Sequence, residues 1–269
     1  MLPGASLFEQ KSQRIDREAL TAAGHQVIFA TLEEARATEA DLAHVYAPRE
    51  LPSRPFVRFP LPYVSNGRMT RSRFNLRRPS LPVAIVSPVA REGSQLAVVP
   101  EAVESGYFQP AEVLPGEDSR RVGVFVGQRA TVKSMMERTG HRIARFRDDI
   151  HFVTFDTLPL PVDLRRLHAW ADLTTDEEDT DGFTAEALAS GLIVIAARTP
   201  LNQHRLEQGR CGFLVPQNDA NETTHAILTA LFKTEVAQQK SHAGQQTISK
   251  FKPRQRLRAL VSLYESLNP

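Results

Sequence analysis

Apolar and polar positions along this chain fall into two alternating periods. Short continuous apolar runs occur at Leu81 to Ser87, Val122 to Val126 and Leu192 to Ala196. Runs of that length predict strands buried on both faces of a parallel sheet. Ile150 to Phe155 alternates and predicts another strand, and Gln26 to Ala30 reads as a short one. Between the runs, apolar residues return at helical spacing. Leu7 to Ala23 predicts a helix closed by Gly24. Lys133 to Phe146 predicts one with Met136, Ile143 and Phe146 on its apolar side. Val162 to Ala171 reads as a helix carrying Trp170, and Asn218 to Phe232 as a longer one. Gln239 to Ser249 is polar and helical, and Phe251 to Leu267 places Leu257, Leu260, Val261, Leu263, Tyr264 and Leu267 on one stripe. Pro52 to Ser65 carries four prolines, so it predicts extended edge structure rather than a central strand.

The densest pattern is Glu178 to Pro216. An acidic loop runs to Gly182, and a short helix spans Phe183 to Ser190. Gly191 stops that helix in the manner of a C-terminal glycine cap. The buried strand Leu192 to Ala196 follows. Asn202 to Gln208 then reads as a helix, Gly209 as a breaker and Gly212 to Val215 as a strand. Strands alternating with helices in two sets argue an α/β protein built on parallel sheets. A linker at Ala111 to Ser119 separates the sets.

Charge modifies this picture in one place. The formal net charge is only +2, yet no Asp or Glu occurs between Leu51 and Arg91. That span holds eight arginines, among them Arg68, Arg71, Arg73, Arg77 and Arg78, interleaved with Phe56, Phe59, Tyr63 and Phe74. Such a segment suits a phosphorylated or lipid-linked acceptor or an anionic membrane face, or else a solvated loop whose arginines pair elsewhere. No nucleic-acid motif accompanies it. The single cysteine, Cys211, allows no internal disulfide and suits a reducing cytoplasm. No apolar run of about 18 residues predicts a membrane span, and no secretory leader is legible. Fingerprints for dinucleotide binding, P-loops, zincins and serine hydrolases are absent.

These motifs resemble those of the group 1 (family 4) GT-B glycosyltransferases. Glu186-Ala187-Leu188-Ala189-Ser190-Gly191 matches that family's E-A-x-A-x-G helix, and Ile193-Val194-Ile195-Ala196 matches its following strand. Gly209, Gly212 and Leu214-Val215-Pro216 match its distal G-x-x-G-x-L-V-P, and Gly24-His25-Gln26-Val27 its Gly-His-x-Val. Val98, Pro100, Val103, Phe108 and Pro110 match the segment that closes its N-terminal domain. The resemblance implies two abbreviated Rossmann-like domains facing across a cleft. Residues 1–112 would be the acceptor side, 113–250 the nucleotide-sugar side, and 251–269 a helix packing back on the first domain.

It implies roles as well. Lys133, within Gly127-Gln128-Arg129-Ala130-Thr131-Val132-Lys133, takes the position of the lysine that holds the donor diphosphate. Gln128 stands where the family has arginine, with Arg129 one residue on. Glu178 and Glu186 keep the E-x7-E spacing, the first meeting the donor sugar and the second the ribose. Asp179, Thr180 and Asp181 then stand where the family has Gly-Phe-Gly. In a second register Asp181-Gly182-Phe183 is that element, after a three-residue deletion. The resemblance implies an NDP-sugar donor, a glycan or lipid-linked acceptor, retention of configuration, no metal or other cofactor, and a cytoplasmic or peripheral inner-membrane location. The alternatives are a non-catalytic binding protein that keeps the fold, and an epimerase of related fold.

Overall fold

The computed structural model describes residues 7–28, 43–45, 63–66, 84–87, 96–99, 101–111, 119–127, 129–157, 159–175 and 182–267. The chain divides into two compact units, Met1–Ala102 with Pro253–Pro269, and Val103–Lys252. The division falls earlier than the sequence linker. At its two crossings the Val103 N–H donates to the Phe251 carbonyl at 2.8 Å, so the second unit opens and closes at adjacent points.

The first unit begins with helix α1 (Leu7–Ala22) and holds strands β1 (Ala43–Val45), β2 (Tyr63–Asn66), β3 (Ala84–Ser87) and β4 (Leu96–Val98). They form one parallel sheet in the order β1-β2-β3-β4. Two sequence expectations need correction. Residues 25–28 form no strand, and Ile28 is half exposed. Tyr63–Asn66 is an interior strand, not an edge, because the prolines at 52, 55, 60 and 62 all precede the paired residues and cost the ladder no donor.

The second unit carries strands β5 (Arg120–Phe125), β6 (Ile150–Phe155), β7 (Ala169–Asp172), β8 (Ile193–Ala197) and β9 (Phe213–Val215). All pairings are parallel, in the order β6-β5-β7-β8-β9. Helices α2 (Ala130–Ile143), α3 (Pro161–Leu164), α4 (Thr184–Ala189), α5 (Pro200–Arg205), α6 (Ala220–Phe232) and α7 (Thr234–Thr247) connect and cover them. Every residue of β7 and β8 is buried, as their continuous apolar composition requires. One core joins Val122, Val124, Ile193 and Ile195 of the sheet to Val132, Met135 and Ile143 of α2 and Ala226, Ile227 and Ala230 of α6.

Helix α3 is a single turn. Trp170, expected in a helix, lies in β7 with none of its surface exposed. A short apolar run fits either period, and pairing with β5 and β8 decides for strand. Phe146, expected on the apolar side of α2, is 75% exposed and lies beyond the helix end at Ile143.

Helix α8 (Pro253–Leu267) closes the chain within the first unit. Leu260 is fully buried and packs with Val99, and α8 lies against α1. The Arg256 guanidinium reaches the Asp16 carboxylate of α1 at 2.5 and 2.7 Å, and both side chains are buried.

Candidate functional site

The order of the second sheet determines where a ligand fits. From β5 the chain moves outward to β6, then crosses back to β7 on the other flank of β5. The connections after β5 and β7 therefore leave in opposite directions and open a crevice at the carboxyl ends of the strands. In open α/β sheets that crevice is where ligands bind. The described strands of the first sheet run in simple sequence order and show no such reversal.

Gly127 and Arg129 sit on the β5 side of the crevice. Gly127 adopts φ +52, and a Cβ there would lie 3.3 Å from the Phe125 ring. Arg129 is the N-terminal flanking residue of α2, and its guanidinium lies 4.8 Å from the centre of the Phe125 ring. Stacking of a cation on an aromatic face holds it at low entropic cost. The first turn of α2 contains no acidic residue and Arg129 caps it with no side-chain bond, so the dipole there favours an anion. Lys133, one turn on, is exposed.

Gly182, Phe183 and Glu186 sit on the β7 side. Phe183 is fully buried and left-handed, with φ 56 and ψ 29. That conformation is strained for a bulky residue, by about 1–2 kcal/mol. An edge contact with Phe125, at 4.8 Å and 87°, holds it. Phe125 thus touches Arg129 on one side and Phe183 on the other, and ties the two banks of the crevice together.

Asp172 organises this bank from below. Its buried carboxylate accepts from the Thr174 N–H at 3.1 Å, the Thr174 hydroxyl at 2.6 Å and the Thr184 hydroxyl at 2.8 Å. The Trp170 indole donates to the Gly182 carbonyl at 2.7 Å. A Cβ on Gly182 would lie 2.1 Å from the Asp172 carboxyl group. The glycine is therefore required by an internal carboxylate. Asp172 is the last residue of β7, directly after the run expected to be a helix.

Glu186 is 1% exposed, which excludes a solvated acid that merely favours the helix start. Burying a carboxylate is costly unless it is engaged. Arg205 on α5, which packs against α4, is also fully buried. Nothing in the sequence separates it from a surface arginine. Asn202 of α5 is 1% exposed and donates its amide to the Ala197 carbonyl at 3.1 Å. Glu178, Asp181, Gln128, Arg68, Arg71, Arg73, Arg77 and Arg78 lie outside the described residues.

A second network supports the distal end of the sheet. Glu207 accepts from Lys250 at 2.5 Å, from Arg210 at 2.6 Å and from the Thr247 hydroxyl at 3.0 Å. The hydrogen bond from Lys250 leads in holding the Glu207 carboxyl down at about 2. Lys240 donates to the carbonyls of Gly209 and Gly212 at 2.5 and 3.0 Å. These contacts tie the turn from Gly209 to Gly212 to α7.

No family model matches the sequence, and no curated protein does. Solved structures match instead. AviGT4, a glycosyltransferase involved in avilamycin A biosynthesis, aligns with a TM-score of 0.62 and 15% identity over 99% of this chain and 94% of its own. Sucrose-phosphate synthase from Thermosynechococcus elongatus aligns with 0.60 and 15% over 99% of this chain and 80% of its own. TarM aligns with 0.58 and 10% over 83% of this chain, which spans only 54% of TarM's length. A variant of S. aureus TarM has been solved with fondaparinux, α-GlcNAc-glycerol and UDP. The protein has the fold of the GT-B glycosyltransferases, and at these identities the likeness is one of fold.

Proposed function

We propose that the protein is a glycosyltransferase that takes a sugar from a nucleoside diphosphate sugar and passes it to a glycan or lipid-linked acceptor, with retention of configuration. The observation that carries this reading is the convergence of Gly127, Arg129, Gly182, Phe183 and Glu186 on the crevice of the second sheet, joined through Phe125. The α2 N-terminus and Arg129 receive the diphosphate, with Lys133 one turn away. As the bond from sugar to diphosphate breaks, negative charge builds on the leaving oxygens. Cations set in advance stabilise that charge without a metal. Glu186 engages the nucleotide ribose and Glu178 the sugar. The UDP bound in the TarM variant makes a uridine nucleotide the first to try.

The test is calorimetric titration with UDP, GDP and ADP and their glucose conjugates, followed by assay for release of free sugar. One nucleotide is expected to bind. Lys133→Ala and Arg129→Ala each remove a charge-assisted contact worth about 1.5–3 kcal/mol, so each weakens binding at least tenfold. Glu186→Gln, which keeps the buried shape, weakens it too. Absence of binding to every nucleotide overturns the proposal. One observation favours a second reading, a binding protein without catalysis: Gly182 is occupied by Asp172 and leaves no open glycine for phosphate. Nucleotide binding with no sugar release from any donor would select that reading.

A further inference from the structure

The outer face of α2 carries a cluster of basic residues. Arg138, His141, Arg142 and Arg145 line a groove of about 560 Å³, whose far wall is Pro216 to Asn221 at the start of α6. Four other arginines of the described structure are matched to acids. Arg120 and Arg147 share Asp149, Arg210 meets Glu207, and Arg256 meets Asp16. Arg142 and Arg145 have no carboxylate within 4.0 Å among the described residues. Arg138 donates only to the Met135 sulfur, at 3.3 Å. The acid in the groove, Asp219, spends its carboxylate on capping α6, accepting from the N–H groups of Asn221 and Glu222 at 2.9 and 3.1 Å. Three guanidinium groups thus share this face with a single acid, so its balance is positive. Such a face attracts a partner that brings negative charge.

The same stripe carries an apolar tip. Arg138, Arg142 and Phe146 follow at intervals of four, so they share one side of α2 and the turn that extends it. The turn keeps helical hydrogen bonding, with the Phe146 N–H donating to the Ile143 carbonyl at 2.9 Å. Phe146 is 75% exposed, although its size would favour burial. A soluble phosphate compound would use the cations and leave this ring in water. A lipid surface uses both: arginines at the level of the headgroups and an aromatic ring at the acyl boundary.

We infer that the α2 face of the second unit, with Arg138, Arg142, Arg145 and Phe146, docks on a membrane rich in anionic lipids. These residues are not part of the arginine-rich span 51–91 of the sequence, and the inference does not depend on the glycosyltransferase reading. The test is co-sedimentation of the full chain with vesicles of phosphatidylcholine alone and with phosphatidylglycerol added. The chain is expected to pellet with the anionic vesicles and to be released by 0.5 M salt, where screening falls to a few ångströms (about 4–5 Å). The triple variant Arg138→Glu, Arg142→Glu, Arg145→Glu is expected to lose partitioning on the order of a hundredfold, and Phe146→Ser to weaken it severalfold. All four side chains are exposed, so circular dichroism and melting should match the parent. No pelleting with anionic vesicles overturns the inference. So does undiminished pelleting of the triple variant, which would assign the membrane contact to another surface such as the 51–91 arginines. Equal pelleting with neutral vesicles overturns it as well.

Discussion

At the scale of single residues, the site depends on close approach and buried charge. Gly182 has no room for a side chain, because the Asp172 carboxyl group lies 2.1 Å from where a Cβ would stand. Gly182→Ala therefore forces the loop or the aspartate to shift. Overpacking of this kind costs about 1–3 kcal/mol, and the melting temperature should fall by several degrees. Unchanged melting would mean that the loop yields freely and that Asp172 does not organise the bank. Glu207 supplies a pH signature. Its folded carboxyl is held at about 2, below the ordinary 4.5, first by the hydrogen bond from Lys250. A depressed carboxylate stabilises the fold fully above its unfolded value, and that contribution is lost as pH falls through the folded value. Acid unfolding followed between pH 4.5 and 2 should show the loss, and Glu207→Gln should flatten the pH dependence in that window. An identical acid limb in the variant would refute this assignment.

At the scale of elements, helix α8 is the clearest case. Its apolar stripe was legible from spacing and the resemblance implied a place on the first domain, but the residues it meets were not legible. Leu260 packs with Val99, and Arg256 pairs with Asp16 of α1, 240 residues away in sequence. Arg256→Met strands a buried carboxylate, which costs about 3–5 kcal/mol. Replacing both, as Asp16→Leu with Arg256→Met, should recover most of that loss. Amide hydrogen exchange is the readout, with α1 and α8 losing protection first in the single variant. A double variant no better than the single would show that packing around the pair, not the stranded charge, carries the effect. Trp170 teaches the converse lesson. The run around it fits a helix by composition, and only the ladder to β5 and β8 makes it a strand.

At the scale of the whole molecule, the repeating order of apolar runs and amphipathic stretches was sufficient to derive an α/β chain with parallel sheets, because buried parallel strands need continuous apolar composition and their crossovers need helices. The resemblance to a known family marked Gly127, Arg129, Gly182, Phe183 and Glu186. Glycines that turn or approach closely, and acids at a helix start, are visible in the residues themselves. What only the tertiary structure decided is how those residues relate. The strand order β6-β5-β7-β8-β9 makes neighbours of two loops more than 50 positions apart, and Phe125 joins them. The burial of Glu186 and Arg205 and the use of Gly182 by Asp172 also rest on contacts between distant segments. So does the unmatched charge along α2. Local spacing carries the period of each element, whereas pairing across the sheet and the desolvation of each charge are set by residues remote in the chain.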